Sequence, residues 1–308
     1  MPVSDYTAET LLCRPGHFPD DPGLLLDISP ERAGWEFISF QVRWLGAGKQ
    51  WHFSTADVEL ALITLSGSYA ISSNLGAWER VGARTNVFEG IAHTLYLPRR
   101  TKGIVSAISS GEFAIARAPS QDNNAPFLVT PDDVTTVIRG GDNATRQINL
   151  LIPPGASVGR LVVVEVYTPP GSWSSFPAHK HDVHKVNDQG ALVEADLEEV
   201  YYYKIDKPNG YALQHIYTDV DSPLHKSGRP IDALIKVSDG EAIIVPEGYH
   251  PVVSAPGYTT YYLNVLAGSA QSLACSDDPN HAWIRDTYKT RDPRVPLYRL
   301  PREPKYEK

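Results

Sequence analysis

Short apolar runs separated by turn residues recur along the whole chain, and they predict β-strands. Side chains of a strand alternate between its two faces, and a strand buried on both faces is apolar throughout. The runs of this kind are residues 35–45, 58–65, 103–108, 113–116, 160–167, 197–204, 233–237 and 261–268. Long helical periodicities are few, and 25 Pro and 23 Gly residues are spread between the runs. This pattern predicts an all-β fold of many short strands with only short helices.

The length of the chain and its breaker-rich segments predict two domains. A chain of 308 residues exceeds the usual size of one domain. We expect an N-terminal domain at residues 1–135 and a C-terminal domain at 136–308, joined within the turn-rich stretch 118–135. Residues 1–34 are rich in Pro, which predicts an extended arm that packs on a partner domain or subunit. The sequence therefore leaves open whether the protein forms a homo-oligomer. A second arm is expected at the C-terminus.

Charge and cysteine content narrow the possible partners and location. The net charge is -8 with 21% charged residues and no basic run, so we expect neither nucleic acid nor a membrane as partner. No stretch approaches the roughly 18 apolar residues of a membrane-spanning helix. Cys13 and Cys275 are the only cysteines, too few for a disulfide framework and without CxxC spacing. A reducing compartment fits this usage, and we expect a cytoplasmic protein.

Histidine and glutamate residues between 176 and 250 have the spacing of a metal site. His179 and His181 are two apart on an extended chain, so their side chains point to the same side. Glu199 stands at the beginning of an aromatic strand, and His250 follows a Pro-Glu-Gly turn. Three imidazoles and one carboxylate suit a divalent ion and leave positions open for water or substrate. Zn, Mn, Fe and Ni are all compatible with this set.

The order H-x-H, Glu, then G-x5-P-x-G and His resembles the double signature of the cupins, small β-barrels that hold a divalent metal with three His and one Glu. The resemblance implies that His179, His181, Glu199 and His250 are the ligands. Glu199 is preferred to Glu198 because adjacent strand residues face opposite sides. The gap from His181 to Glu199 is longer than is usual in cupins, and we interpret it as a loop inserted between two strands.

The N-terminal domain resembles a cupin as well, which implies a bicupin of two jelly-roll barrels. We expect this domain to be free of metal, because no H-x-H occurs before residue 179 and residues 99–102 place positive charge where a ligand would be needed. His52 and Glu59 are isolated polar residues on predicted strands, and we assign them no function.

A narrower resemblance covers nearly the whole chain. Residues 176–182, 197–203, 245–252, 261–268 and 278–283 are similar to the 5-deoxy-glucuronate isomerases of myo-inositol catabolism, bicupins related to the 4-deoxy-5-ketouronate isomerases of pectin breakdown. The resemblance implies an aldehyde-to-ketone isomerase that acts on a small uronate and makes 2-deoxy-5-keto-gluconate. Two other functions stay open: a metal-dependent cupin dioxygenase and a non-catalytic sugar-binding cupin.

The implied reaction assigns roles to further residues. Moving a carbonyl group passes through an enediolate, which a metal stabilises as a Lewis acid, and a base is still required. Glu199, a metal hydroxide, Tyr201 and Tyr203 are all candidates for that base. Gln214 and Asn264 are polar residues in apolar strands and need partners, which substrate hydroxyls could supply.

A uronate also carries a carboxylate, which needs a cation away from the metal. No cation shares the face of Glu199 on its own strand. The candidates for this contact are Arg146, Arg229 and Lys236.

Overall fold

Strands make up most of the regular structure, as the apolar runs predict. A computed structural model of the chain describes residues 5–307. The first strands are β1 (Leu12–Cys13), β2 (Leu24–Ile28), β3 (Ser39–Leu45), β4 (Gln50–Ser54), β5 (Val58–Thr64), β6 (Ser68–Ser73), β7 (Gly76–Val81), β8 (Thr94–Leu97), β9 (Lys102–Ser109), β10 (Gly111–Pro119) and β11 (Phe127–Val129).

The strands that follow are β12 (Thr135–Arg139), β13 (Arg146–Ile152), β14 (Val162–Thr168), β15 (Trp173–Ser174), β16 (His179–Lys180), β17 (Lys185–Val186), β18 (Leu192–Glu194), β19 (Leu197–Ile205), β20 (Tyr211–Tyr217), β21 (Asp232–Ser238), β22 (Ala242–Val245), β23 (Val252–Ser254), β24 (Thr260–Gly268), β25 (Ser276–Asp277) and β26 (Lys305–Glu307). The helices are single turns, α1 (Ala8–Leu11), α2 (Pro30–Ala33) and α3 (Pro223–Lys226), with 3-10 turns at Val87–Glu89, Pro131–Asp133, Asp142–Ala144 and Ala282–Thr287. The all-β expectation is confirmed.

Two β-sandwiches with matching strand orders form the molecule. The first pairs a six-stranded sheet, β11-β8-β5-β10-β3-β2, with a four-stranded sheet, β4-β9-β6-β7. The second pairs an eight-stranded sheet, β1-β22-β19-β24-β14-β13-β12-β26, with a four-stranded sheet, β15-β23-β20-β21. In the large sheets β5 lies between β8 and β10, and β19 lies between β22 and β24. Strand β5 of the first sandwich therefore corresponds to β19 of the second.

The two large sheets pack back to back, so their strands are buried on both faces. On β5, Leu60 and Leu62 belong to the core inside the first sandwich, whereas Ala61 and Ile63 belong to the core shared with the second. The rings of Phe40 on β3 and Tyr202 on β19 meet across this junction with centroids 5.9 Å apart. Burial on both faces explains why these strands are continuous apolar runs rather than alternating ones.

Both terminal segments lie on the second sandwich. Strand β1 pairs with β22, although the sequence boundaries place it in the first domain, and β26 pairs in parallel with β12. The insertion between His181 and Glu199 contains a small hairpin of β17 and β18, outside the main sheets. Within residues 5–307 no helix is long and apolar enough to cross a membrane.

Candidate metal centre and cavity

His181, Glu199 and His250 converge inside the second sandwich. Their ligand atoms all lie within 4.8 Å of one another, and all three residues are buried. Oε2 of Glu199 is 3.0 Å from Nε2 of His181 and 3.2 Å from Nε2 of His250. Two imidazole nitrogens and one carboxylate oxygen therefore face a common point, which is the donor set of a transition-metal site. This group could hold a metal ion.

Hydrogen bonds at Nδ1 fix the orientation of both imidazoles. Nδ1 of His181 is 2.8 Å from the carbonyl oxygen of Leu197, and Nδ1 of His250 is 2.7 Å from that of Gly248. A carbonyl oxygen only accepts, so Nδ1 carries the proton and Nε2 keeps its lone pair for a ligand. Nε2 of His250 is fully buried and has no hydrogen-bond partner among the described residues. A bound metal ion would satisfy that atom, so the residues fit the metal that the sequence implies.

His179 lies beside this group rather than within it. Its ring is 5.0 Å from the ring of His250, centroid to centroid, and it lines the adjoining cavity. Burial, together with the nearby His250 and the positive charge of Arg146, holds the pKa of His179 well below its usual value. Its imidazole is therefore neutral near pH 7, as a metal ligand must be.

The alternation of β19 separates the two neighbouring glutamates. Glu199 points into the second sandwich, where burial raises its pKa but the adjacent imidazoles of His181 and His250 outweigh that effect and hold it at about 2. Glu198 points to the junction, where its carboxylate accepts hydrogen bonds from the backbone of residues 36–38. Only Glu199 can therefore reach the histidines.

A buried aspartate ties the two histidine segments together. Oδ1 of Asp182 accepts a hydrogen bond of 2.7 Å from the backbone N–H of Gly248, and the backbone N–H of Asp182 donates to Glu194 at 2.8 Å. Gly248 has φ +97, and a Cβ there would lie 2.6 Å from the carbonyl oxygen of Tyr217. Glycine is therefore required at this turn, which sets the position of His250.

A cavity of about 300 Å³ opens beside the candidate metal centre. Its apolar lining is formed by Val137, Ile148, Leu150, Val164, Val166, Leu266 and Leu273. Its polar lining comprises His179, Glu199, Tyr201, Tyr262, Asn264 and Ser175, with Arg139, Arg146, Arg285, Cys275 and Glu307 also exposed to the space. The volume suits a small molecule with several polar groups.

Asn264 and Tyr201 face this cavity with polar groups available. Nδ2 of Asn264 donates a short hydrogen bond to Oε1 of Glu199, while its Oδ1 is buried without a partner among the described residues. Burial and the charge of Glu199 hold the pKa of Tyr201 well above its usual value. Tyr201 is therefore a protonated hydrogen-bond donor at neutral pH.

Tyr203 and Gln214 do not reach the cavity. The hydroxyl of Tyr203 donates to Oε1 of Gln214 at 2.9 Å, and Nε2 of Gln214 donates to the carbonyl oxygen of His250 at 3.3 Å. The polar groups that the sequence offered to a substrate thus satisfy each other, and they support the backbone of His250. Burial also raises the pKa of Tyr203 well above its usual value.

Of the three cations considered for a substrate carboxylate, only Arg146 lines the cavity. Arg229 instead lies over the ring of Tyr6 at 5.3 Å, and Lys236 over the ring of Tyr211 at 4.8 Å. Lys236 is exposed on β21, at the opposite sheet of the sandwich.

Several residues of the cavity were not anticipated from the sequence. Tyr262 is two residues from Asn264 on β24, so alternation could have identified it. Arg285 and Glu307 come from the C-terminal arm, where no periodicity marks them. Arg139 pairs with Glu307, and Arg285 pairs with Asp277.

Comparisons with known proteins agree with this architecture. The sequence model described as the KduI/IolB family matches residues 11–284. A 5-deoxy-glucuronate isomerase of Geobacillus kaustophilus (strain HTA426) is 37% identical over 274 residues, which cover 89% of this chain and 95% of the relative. A 5-deoxy-glucuronate isomerase of Bacillus subtilis (strain 168) is 31% identical over 263 residues, covering 85% and 92%.

Solved structures show the same fold. An IolB-like protein from Salmonella typhimurium LT2 superimposes with a TM-score of 0.81 at 34% identity, covering 89% of this chain and 98% of that one. An oxalate decarboxylase of Lactobacillus farciminis has a TM-score of 0.59 at 9% identity, covering 90% and 89%. At that identity only the fold is shared, and it confirms the expected bicupin architecture.

Proposed function

The chain belongs to the KduI/IolB family, and we propose on that premise that it is a 5-deoxy-glucuronate isomerase, producing 2-deoxy-5-keto-gluconate. The observation that carries the proposal is the convergence of His181, Glu199 and His250 beside a cavity of about 300 Å³. The cavity is large enough for a six-carbon sugar acid, and its polar lining residues place hydrogen-bonding groups next to the candidate metal centre.

We propose that one divalent ion is held by His179, His181, Glu199 and His250. Zn, Mn, Fe or Ni would each accept three imidazoles and a carboxylate. When bound, such an ion supplies Lewis acidity toward the carbonyl and neighbouring hydroxyl oxygens of the sugar. The low pKa of Glu199, about 2, keeps its carboxylate charged for this role.

The reaction itself moves two hydrogens and needs no oxidant. The proton on C2 leaves, and its electron pair forms the C1=C2 bond of an enediolate. A proton is then delivered to C1, while the hydroxyl proton on O2 is lost and O1 is protonated. The aldehyde at C1 becomes a hydroxymethyl group, and C2 becomes the ketone.

The residues of this chain position the substrate and donate hydrogen bonds. Tyr201, protonated because of its raised pKa, donates to the oxygen on which negative charge develops. Oδ1 of Asn264, buried without a partner among the described residues, accepts a hydrogen bond from a substrate hydroxyl. Tyr203 and Gln214, which bond to each other, act instead by supporting His250.

The isomerase relatives do not favour the dioxygenase or the non-catalytic binding function. A direct test distinguishes all three functions. Purified protein is incubated anaerobically with 5-deoxy-glucuronate, with and without chelator, and ketone formation is followed by NMR. We expect conversion without oxygen and its loss with chelator. Oxygen-dependent product would indicate a dioxygenase, and metal-loaded protein without turnover would indicate a binding protein.

A further inference from the structure

Arg146 is a buried cation on the inner wall of the cavity. It is the first residue of β13, and its residue exposure is 7%. Arg146 pairs with Arg139, Ile148 pairs with Val166, and Val166 pairs with Tyr262. Because paired residues and alternate residues of a strand share a face, these side chains all lie on one face of the sheet. Strand β19 carries Glu199 on that same face, which lines the cavity.

The other two arginines of the cavity are neutralised. Nε of Arg139 donates to Oε2 of Glu307 at 2.9 Å. Arg285 donates hydrogen bonds to the carboxylate of Asp277 from Nε at 2.7 Å and from Nη2 at 2.6 Å. Among residues 5–307, the guanidinium of Arg146 makes neither an ion pair nor a hydrogen bond. The cavity therefore contains one cation without a protein counter-ion in the described part of the chain.

A guanidinium in such a position needs an anion. Burying an unpaired charge is costly, and an arginine does not lose its proton to relieve that cost. Burial lowers the pKa of Arg146, which reflects the same cost. The planar fork of five N–H donors matches a carboxylate, with which it forms two parallel hydrogen bonds.

We propose that Arg146 binds the substrate carboxylate and thereby makes the enzyme selective for sugar acids over neutral sugars. This inference rests on the proposed function, because it takes the candidate metal centre to hold the aldehyde end of an open-chain substrate. Arg146 and His179 both line this cavity, so the cation and the histidine face the same space. The substrate then spans the cavity, with its reacting carbons at the histidines and its carboxylate at the start of β13.

The test compares Arg146→Met with Arg139→Met, a matched control from the same cavity whose guanidinium is already paired. Each is assayed with 5-deoxy-glucuronate and with 5-deoxyglucose, the neutral sugar of the same length. Arg146→Met should lower kcat/KM for the acid by about 100-fold, mainly through KM, with less than about a threefold change for the neutral sugar. Arg146→Lys should recover part of the loss, since it restores the charge without the fork. Equal losses on both substrates, or a selective loss in Arg139→Met instead, would overturn the inference.

Two further measurements separate this inference from the proposed function. Binding of 5-deoxy-glucuronate by calorimetry should weaken in Arg146→Met whether or not turnover is seen, so an inactive wild type would defeat only the isomerase proposal. Unchanged binding of the acid would defeat the anchor. The thermal midpoint of ligand-free Arg146→Met should equal or exceed that of wild type, because the substitution removes an uncompensated buried charge. A purely structural role for Arg146 predicts a lower midpoint.

Discussion

Glu59 of the first sandwich and Glu198 of the second sandwich each bind the backbone of the other sandwich. Glu59 accepts hydrogen bonds from the backbone N–H groups of residues 159–161 at 2.6 to 2.9 Å. Glu198 accepts them from residues 36–38 at 2.5 to 3.0 Å. Each is the second residue of its strand, β5 or β19, and each binds the segment before β14 or β3. The two sandwiches are thus joined by a reciprocal pair of carboxylate contacts.

Removing either carboxylate should destabilise the junction. Glu59→Ala leaves three backbone donors without their acceptor in a fully buried place, and we expect a loss of about 3 kcal/mol in the free energy of unfolding. Glu198→Ala should cost less, because Glu198 is only partly buried. Urea denaturation measures both. Glu79→Ala, exposed on β7, is the control and should change stability by less than about 0.5 kcal/mol. Equal effects of Glu59→Ala and Glu79→Ala would contradict the contact's role.

The candidate metal centre should be lost when one ligand is removed, without loss of the fold. His181→Ala and Glu199→Ala are expected to abolish activity and to lower the metal content from one ion per chain to nearly none. Circular dichroism should stay unchanged, because the sandwich has its own apolar core. His184→Ala is the matched control, since His184 is exposed and its Nδ1 contacts Oγ of Ser269.

Metal analysis also tests whether the first sandwich binds an ion. Glu59 corresponds to Glu198, so Leu60 stands where Glu199 stands in the second sandwich, within an apolar core. We therefore expect one ion per chain. Two ions per chain, or full turnover in His181→Ala or Glu199→Ala, would refute the assignment.

Tyr201 and Tyr203 offer a comparison of two stacked tyrosines on one strand face. Their ring centroids are 6.2 Å apart, yet only Tyr201 lines the cavity. Tyr201→Phe should lower kcat by about 100-fold, since it removes a donor directed at the developing charge. Tyr203→Phe should leave kcat within about threefold and cost roughly 1 kcal/mol of stability through the lost bond to Gln214. Steady-state kinetics and thermal unfolding of both variants provide the test. The opposite ranking of kcat would place the reacting oxygen beside Tyr203.

The strands and their burial could be predicted because local pattern decides them. The predicted runs at 58–65 and 261–268 become β5 and β24, each with a shift of one residue at one end. Strand β2 was not predicted, because it is a short segment between Pro22 and Pro30 whose pairing with β3 depends on residues farther along the chain.

The sequence predicts a cavity-lining residue only where the residue's own strand determines the direction of its side chain. Tyr201 shares the face of Glu199 on its strand, and Asn264 is a polar residue in an apolar strand; both line the cavity. The pairing of Tyr203 with Gln214 was not predicted, because it depends on two strands in different sheets. Likewise, within residues 5–307 Arg139 has Glu307 as a counter-ion and Arg146 has none, and this difference depends on how the C-terminal arm lies along β12. Such a contact leaves no mark in the local sequence.

Glu247, in the turn before His250, should make stability decline as the pH rises. Burial, with the charges of Asp182 and Asp196, raises its pKa from 4.5 to about 7, although the N–H of Leu224 donates to it. Between pH 4.5 and pH 7 the folded protein binds more protons at Glu247 than the unfolded chain does. The stabilisation from protonated Glu247 is therefore full below pH 4.5 and is lost as the pH rises to 7.

Glu247→Gln keeps an acceptor for Leu224 and cannot ionise. Relative to wild type, the variant's thermal midpoint should therefore rise between pH 5 and pH 8, measured on chelator-treated protein so that metal binding does not contribute. Glu79→Gln, on the exposed face of β7, serves as the control. A midpoint difference between Glu247→Gln and wild type that stays constant over this range would show that Glu247 does not titrate there.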